Sequence, residues 1–325
     1  MDSLERNQSL RAHTKVVQVG SRPSEHGHSG LALTARQLKL AFGMRFARTA
    51  ALAATVLLFV ASTAEPARET HFSQAAEAVL NRNFAGPEIS YLLLDASGNV
   101  LAERWSAQPA IPIGSLVKPF LSIAYGEQNG GRFPTVRCLG TRTRCWLPAG
   151  HGSMTLEEAI AQSCNTYFRE LAAGLDRPRA AATFARYGLA GPAPETADDS
   201  LIGLGTEWKE QPLALARAYL AIEKERRSAL QGRIIKGMLG SADHGTARAV
   251  DAALGKDAAL AKTGTTVCSH TPRGPADGFT VALYPAAQPR LLLLVRVHGL
   301  TGAASARVAG AMLRALGVGQ SADKR

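Results

Sequence analysis

The spacing of apolar residues changes period several times along the chain, and each change marks a different element. From Phe72 to Leu80 the apolar positions are Phe72, Ala75, Ala76, Val79 and Leu80, the three-and-four spacing of a helix that buries one stripe. Ile89 to Asp95 and Val100 to Trp105 are extended runs joined by Ser97-Gly98-Asn99, which predicts a β-hairpin. Helical spacing returns between Thr155 and Leu175, opening on Thr155 and Glu158, the pair of a capping box. Pro212 to Lys224 predicts a further helix, and an extended segment begins at Lys262. Phe279 to Tyr284 and Leu291 to Val297 form a second hairpin across Pro285 to Arg290. A last helix runs from Ala304 to Leu316, with Gly317 as its C-cap. Hairpins near both ends with helices between them predict an α+β fold with an antiparallel sheet and a helical insertion, rather than a doubly wound one.

Hydrophobic content of 46% over 325 residues supplies a core for one large domain or two small ones. No linker composition interrupts residues 65–325, which are read as one catalytic domain of two lobes. The net charge of +11 is divided: residues 1–64 hold 8 basic and 3 acidic side chains, leaving +6 on the remainder. No basic run stands out and aromatic residues do not interleave with basic ones, so nucleic acid is not a predicted partner. Met44 is followed by Arg45 and Arg48, an apolar run from Ala50 to Val60, and the small residues Ala61-Ser62-Thr63-Ala64. Residues 44–64 are therefore read as a signal peptide cut near Ala64, since the apolar run is shorter than the ~20 residues of a membrane span. Left uncut, the segment would be a short membrane anchor. Residues 1–43, polar and mixed in charge, are read as a disordered extension or a start codon placed too far upstream. The expected location is extracytoplasmic or periplasmic.

Four cysteines occur, at 138, 145, 164 and 268. In an exported chain disulfides persist, and Cys138 and Cys145, flanking a short basic loop, are placed to close one. Zinc held there with His151 is the lesser reading. Cys164 is read as a small buried thiol.

Three short motifs carry the chemistry: Ser115-Leu116-Val117-Lys118, Ser163-Cys164-Asn165 and Lys262-Thr263-Gly264. Residues three apart on a helix share a face, so Lys118 can reach the Ser115 hydroxyl. A serine hydroxyl is a weak nucleophile until a base takes its proton. Lys118 is that base only when neutral, a state favoured by burial and by a second cation, for which Lys262 is the candidate. Ser163 and Asn165 can bond both a lysine and a substrate amide, and Ser163 can relay a proton to a leaving amine. Lys262 and Thr263 suit a carboxylate, and Gly264 admits substrate backbone. The Thr265 amide, with that of Ser115, forms an expected oxyanion hole. This chemistry calls for no cofactor and no catalytic metal.

The ordered set S-x-x-K, S-x-N, K-T-G resembles that of penicillin-binding transpeptidase domains and the related serine β-lactamases. Agreement extends to Pro112-Ile113-Gly114 and Pro119-Phe120 around the first motif, and to Cys145-Trp146, Gly150-His151-Gly152 and Thr166-Tyr167-Phe168 around the second. It continues through Ile202-Gly203-Leu204-Gly205, Pro212 to Ala216, and Gly245-Thr246-Ala247. The resemblance covers about residues 70–315. It implies a five-stranded antiparallel sheet flanked by helices, with an inserted all-helical lobe carrying the second motif. It also implies Ser115 as acyl-enzyme nucleophile, Lys118 as general base, Ser163 and Asn165 as relay and substrate contact, and Lys262, Thr263 and Gly264 at the substrate carboxylate. Peptidoglycan stem peptides become the expected substrates, β-lactams the covalent inhibitors, and cell-wall synthesis proteins the expected partners. The chain departs from the family in leaving no room for a pedestal or glycosyltransferase domain. Gly278-Phe279 stands where an aromatic pair is common, and residues 267–275, with Cys268 and His270, follow no family pattern. The competing readings are a class D-like β-lactamase, a D,D-carboxypeptidase, and a non-catalytic sensor. Glu207 and Glu210 are expected to be solvated.

Overall fold

The computed structural model describes residues 64–105, 109–268 and 273–317. The expected extension 1–43, and the signal or anchor segment 44–64 up to Thr63, lie outside the described residues. Among the described residues no helix is long and apolar enough to cross a membrane.

Five strands, β1 (Ile89–Asp95), β2 (Val100–Arg104), β3 (Leu260–Thr266), β4 (Asp277–Tyr284) and β5 (Leu291–His298), form one sheet in the order β2-β1-β5-β4-β3. Every neighbouring pair is antiparallel. The helices are α1 (Ala64–Asn83), α2 (Lys118–Gln128), α3 (Leu156–Ala161), α4 (Asn165–Ala173), α5 (Arg177–Arg186), α6 (Asp198–Leu201), α7 (Pro212–Lys224), α8 (Ala229–Asp243), α9 (Ala249–Leu254) and α10 (Gly302–Ala315). The α+β architecture read from the periodicity is the one observed, with α2 to α9 inserted between the two hairpin regions.

Strand alternation divides the core in two. Leu92 and Leu94 join Phe120, Phe168 and Tyr219 beneath the helical insertion, while Tyr91 and Leu93 join Leu80, Ala309 and Leu313 beneath α1 and α10. The central strand β5 begins Leu291-Leu292-Leu293-Leu294-Val295, all buried, because helices cover both of its faces.

Two local departures from the expected elements set the site. Gly114–Val117 is a 3-10 turn, and α2 begins at Lys118, not at Ser115. An α-helix starting at Ser115 would need the Pro119 N–H to bond the Ser115 carbonyl, and proline has none. Starting at Lys118 places Pro119 in the first turn, where that hydrogen needs no partner. The helical stretch from Thr155 to Leu175 is two helices, broken where Ser163 adopts a left-handed φ of 52°. Thr155 caps the first, its hydroxyl accepting from the Glu158 amide at 3.5 Å.

Candidate active site

The three motifs converge on one cleft of about 360 Å³, lined by Ser115, Ser163, Asn165, Thr263, Gly264 and Thr265, with Trp146, Leu204, Thr246, Thr301 and Ala303 completing it. Backbone approach between the first and third motifs is close enough to require glycine. A Cβ on Gly114, whose φ is +59°, would lie 2.6 Å from the Thr265 carbonyl oxygen. One on Gly264 would lie 2.7 Å from the Ile113 carbonyl oxygen. Strand β3 therefore packs directly on the Ser115 turn, bringing the Ser115 and Thr265 segments side by side as an oxyanion hole needs.

Both lysines are fully buried, at 0% exposure. Lys118 Nζ donates to Asn165 Oδ1 at 2.6 Å and to the Ser163 carbonyl at 2.8 Å, and lies 3.4 Å from Ser163 Oγ. It also sits 5.2 Å from the centroid of the Phe168 ring. Lys262 Nζ donates to Ser163 Oγ at 2.9 Å and to the Thr263 carbonyl at 2.7 Å. The Ser163 hydroxyl thus stands between two amines, and its left-handed backbone turn directs it there. Burial pushes Lys118 down to about 7, against a weaker opposing pull from the Cys164 and Cys145 sulfurs. Burial, and then the charge of Lys118, holds Lys262 well below the usual lysine range. Burial is the main cause for both, and the repulsion between the two amines, expected from the sequence, acts on each of them. Thr263 Oγ1 donates to Thr246 Oγ1 at 2.6 Å, and Thr265 Oγ1 accepts from the Gly302 amide at 2.9 Å, so the turn between α8 and α9 and the start of α10 steady the third motif.

Every site residue picked from the sequence reaches this cleft or lies directly beneath it. Trp146 and Thr246 were quoted only as parts of matching segments and were not assigned to the site. Trp146 is half exposed, and its Nε1 donates to the Gln162 and Ser163 carbonyls at 3.2 Å each. Glu210 corrects an expectation: it is 3% exposed and accepts from the Trp208 Nε1 and the Ala190 and Gly191 amides, a structural role. Glu207 is exposed, as expected.

Comparison with solved structures places the architecture. Penicillin-binding protein 2 from Pseudomonas aeruginosa superposes with a TM-score of 0.63 at 20% identity, over 78% of this chain and 76% of that one. The D,D-transpeptidase domain of a peptidoglycan glycosyltransferase from Eggerthella lenta gives 0.59 at 17% identity, over 74% and 80%. The transpeptidase domain of penicillin-binding protein 3 from Burkholderia pseudomallei gives 0.59 at 17%, over 78% and 96%. The fold is that of a penicillin-binding transpeptidase domain. No family model and no curated protein matches the chain by sequence.

Within this transpeptidase-like fold, four further side chains gather behind the second motif. Cys138, Cys145, His151 and Cys164 have donor atoms that all lie within 4.8 Å of one another. All four cysteines are free thiols, so the expected Cys138–Cys145 disulfide is absent, and both thiols turn to His151 Nδ1 at 3.5 Å. Cys164 joins them, 3.9 Å from the Cys145 sulfur. Ligands of a tetrahedral zinc ion stand about 3.5 Å apart for S···N and about 3.8 Å for S···S, from the usual bond lengths. A hydrogen bond from Cys164, with help from His151, lowers the Cys145 thiol, and the same bond, with burial, raises that of Cys164. His151 Nε2 is buried with no hydrogen-bond partner. The Cys₃His set fits zinc in a closed structural site. It has no place in acyl transfer, but Cys164 lies between Ser163 and Asn165, and the His151 ring packs edge-on against Trp146 at 5.3 Å. An ion held there would fix the second motif and one wall of the cleft.

Proposed function

We propose that the chain is an exported serine D,D-transpeptidase-like acyltransferase that works on peptidoglycan stem peptides through an acyl-enzyme on Ser115. The observation that carries this reading is the Ser163 hydroxyl held between the amines of Lys118 and Lys262, beneath a cleft that Ser115 lines. Neutral Lys118 takes the proton as Ser115 Oγ attacks the carbonyl carbon of the terminal D-Ala-D-Ala amide. The Ser115 and Thr265 amides receive the oxyanion. The C–N bond breaks, and the proton passes through Ser163 to the departing D-alanine amine. An acceptor amine on a second stem peptide then attacks the ester, forming a new amide and returning the hydroxyl to Ser115. The donor's terminal carboxylate lies against Thr263 and Lys262, where its charge offsets the burial of Lys262 and lets that amine hold a proton. A β-lactam enters as the donor does, and its opened ring remains on Ser115.

No carboxylate is among the described residues lining the cleft, which speaks against the glutamate-driven deacylation of class A β-lactamases. The test is intact-protein mass spectrometry during incubation with a β-lactam. One persistent adduct, absent from Ser115→Ala, is expected. Rapid loss of the adduct with multiple turnovers would place the chain with the β-lactamases, and no adduct at all would remove the proposal.

A further inference from the structure

A second group of metal-type donors lies at the far end of β3, apart from the Cys₃His set. Cys268, Asp277 and His298 each offer one ligand atom, and the three atoms lie within 4.8 Å of one another. Topology brings them together. Asp277 faces His298 across the β4–β5 ladder and Thr266 across the β3–β4 ladder, and Cys268 lies two residues beyond the end of β3. Cys268 and Asp277 are buried, while the His298 side chain retains 18% exposure, giving one route of entry from solvent.

The contact pattern argues for an ion rather than a hydrogen-bonded triad. Asp277 Oδ1 lies 3.0 Å and Cys268 Sγ 3.5 Å from the same atom, His298 Nδ1. In a Cys-His-Asp nucleophilic triad the thiol and the carboxylate occupy opposite nitrogens of the imidazole. Here one nitrogen faces both, so the three donor atoms surround a single point where one cation can sit. Tetrahedral zinc sets S···N edges of about 3.5 Å and N···O edges of about 3.3 Å, close to the separations found. The charge also suits a divalent ion. A thiolate and a carboxylate together supply two negative charges to such an ion.

We infer that Cys268, Asp277 and His298 form a binding site for a divalent cation, zinc by its mixed sulfur, nitrogen and oxygen donors, which clamps the end of β3 to β4 and β5. The inference does not depend on the acyl-enzyme reading. The test is zinc content of the purified full-length chain by elemental mass spectrometry. Wild type is expected to hold one zinc equivalent more than either His298→Asn or Cys268→Ser. Equal zinc in all three, with each variant folded by circular dichroism, would overturn the site. If either variant fails to fold, wild type alone decides through peptide-mapped alkylation with iodoacetamide. Zinc is expected to slow modification of Cys268 roughly tenfold relative to chelator-treated protein. Equal rates with and without zinc would overturn the site, and Cys268 is read separately from Cys138, Cys145 and Cys164.

Discussion

A lysine buried without a carboxylate partner is costly unless it sheds its proton, and Lys118 has none. Its depression to about 7 gives two predictions. First, acylation by a β-lactam should rise with pH through about 7 and level off above it, measured as the pH profile of the second-order labelling rate. Lys118→Ala should slow labelling by roughly 10²–10⁴, the usual worth of a general base. Second, stability should rise with pH between about 7 and the ordinary lysine range near 10.5. In that window the unfolded chain binds a proton that the folded chain has released, so the slope of unfolding free energy on pH is positive, up to about 1.4 kcal/mol per unit. Below the folded pKa both states are protonated and the full penalty of the buried ammonium remains. Lys118→Met should lower that slope in urea titrations at several pH values, leaving the share of the likewise depressed Lys262, while an unchanged slope would mean that Lys118 is charged throughout.

Among elements, the decisive contact is β3 against the 3-10 turn that holds Ser115. Gly114→Ala forces a positive φ on a residue with a Cβ and drives that Cβ into the Thr265 carbonyl. The variant should lose roughly 1–3 kcal/mol or more in chemical denaturation, and its labelling rate should fall with it. Strand and helix order were legible because the sheet is amphipathic or fully buried along its whole length and because Gly and Pro punctuate its turns. The 3-10 turn before Lys118 was less so. It depends on a conflict between Pro119 and the Ser115 carbonyl that appears only once the helix start is fixed. The break at Ser163 and its left-handed backbone were not legible, since serine carries no sign of a positive φ. The role of Glu210 was hidden for a different reason: its partners are backbone amides 19 and 20 residues away.

At the scale of the molecule, the site draws on three separated stretches, at 115–118, 163–165 and 262–265, and their order alone made the chemistry readable. The Cys₃His set was only half readable. Cys138, Cys145 and His151 lie close in sequence, whereas Cys164 enters through the fold of the helical lobe. Removing metal with a strong chelator should therefore lower the thermal midpoint by several degrees, where about 1 kcal/mol corresponds to 2–4 °C for a domain of this size. It should also slow β-lactam labelling, and adding zinc back should restore both; no change in either would detach this set from a metal. The sheet order carries a last consequence. Among the described residues strand β3 is its margin and ladders with β4 alone, and residues 263–265 of it border the cleft. An extended oligopeptide can lie along it main chain to main chain, as an added sixth strand, with little regard for side-chain identity. Linear ligands whose alternate amides are N-methylated should then bind far more weakly than their unmethylated parents, even with every side chain retained.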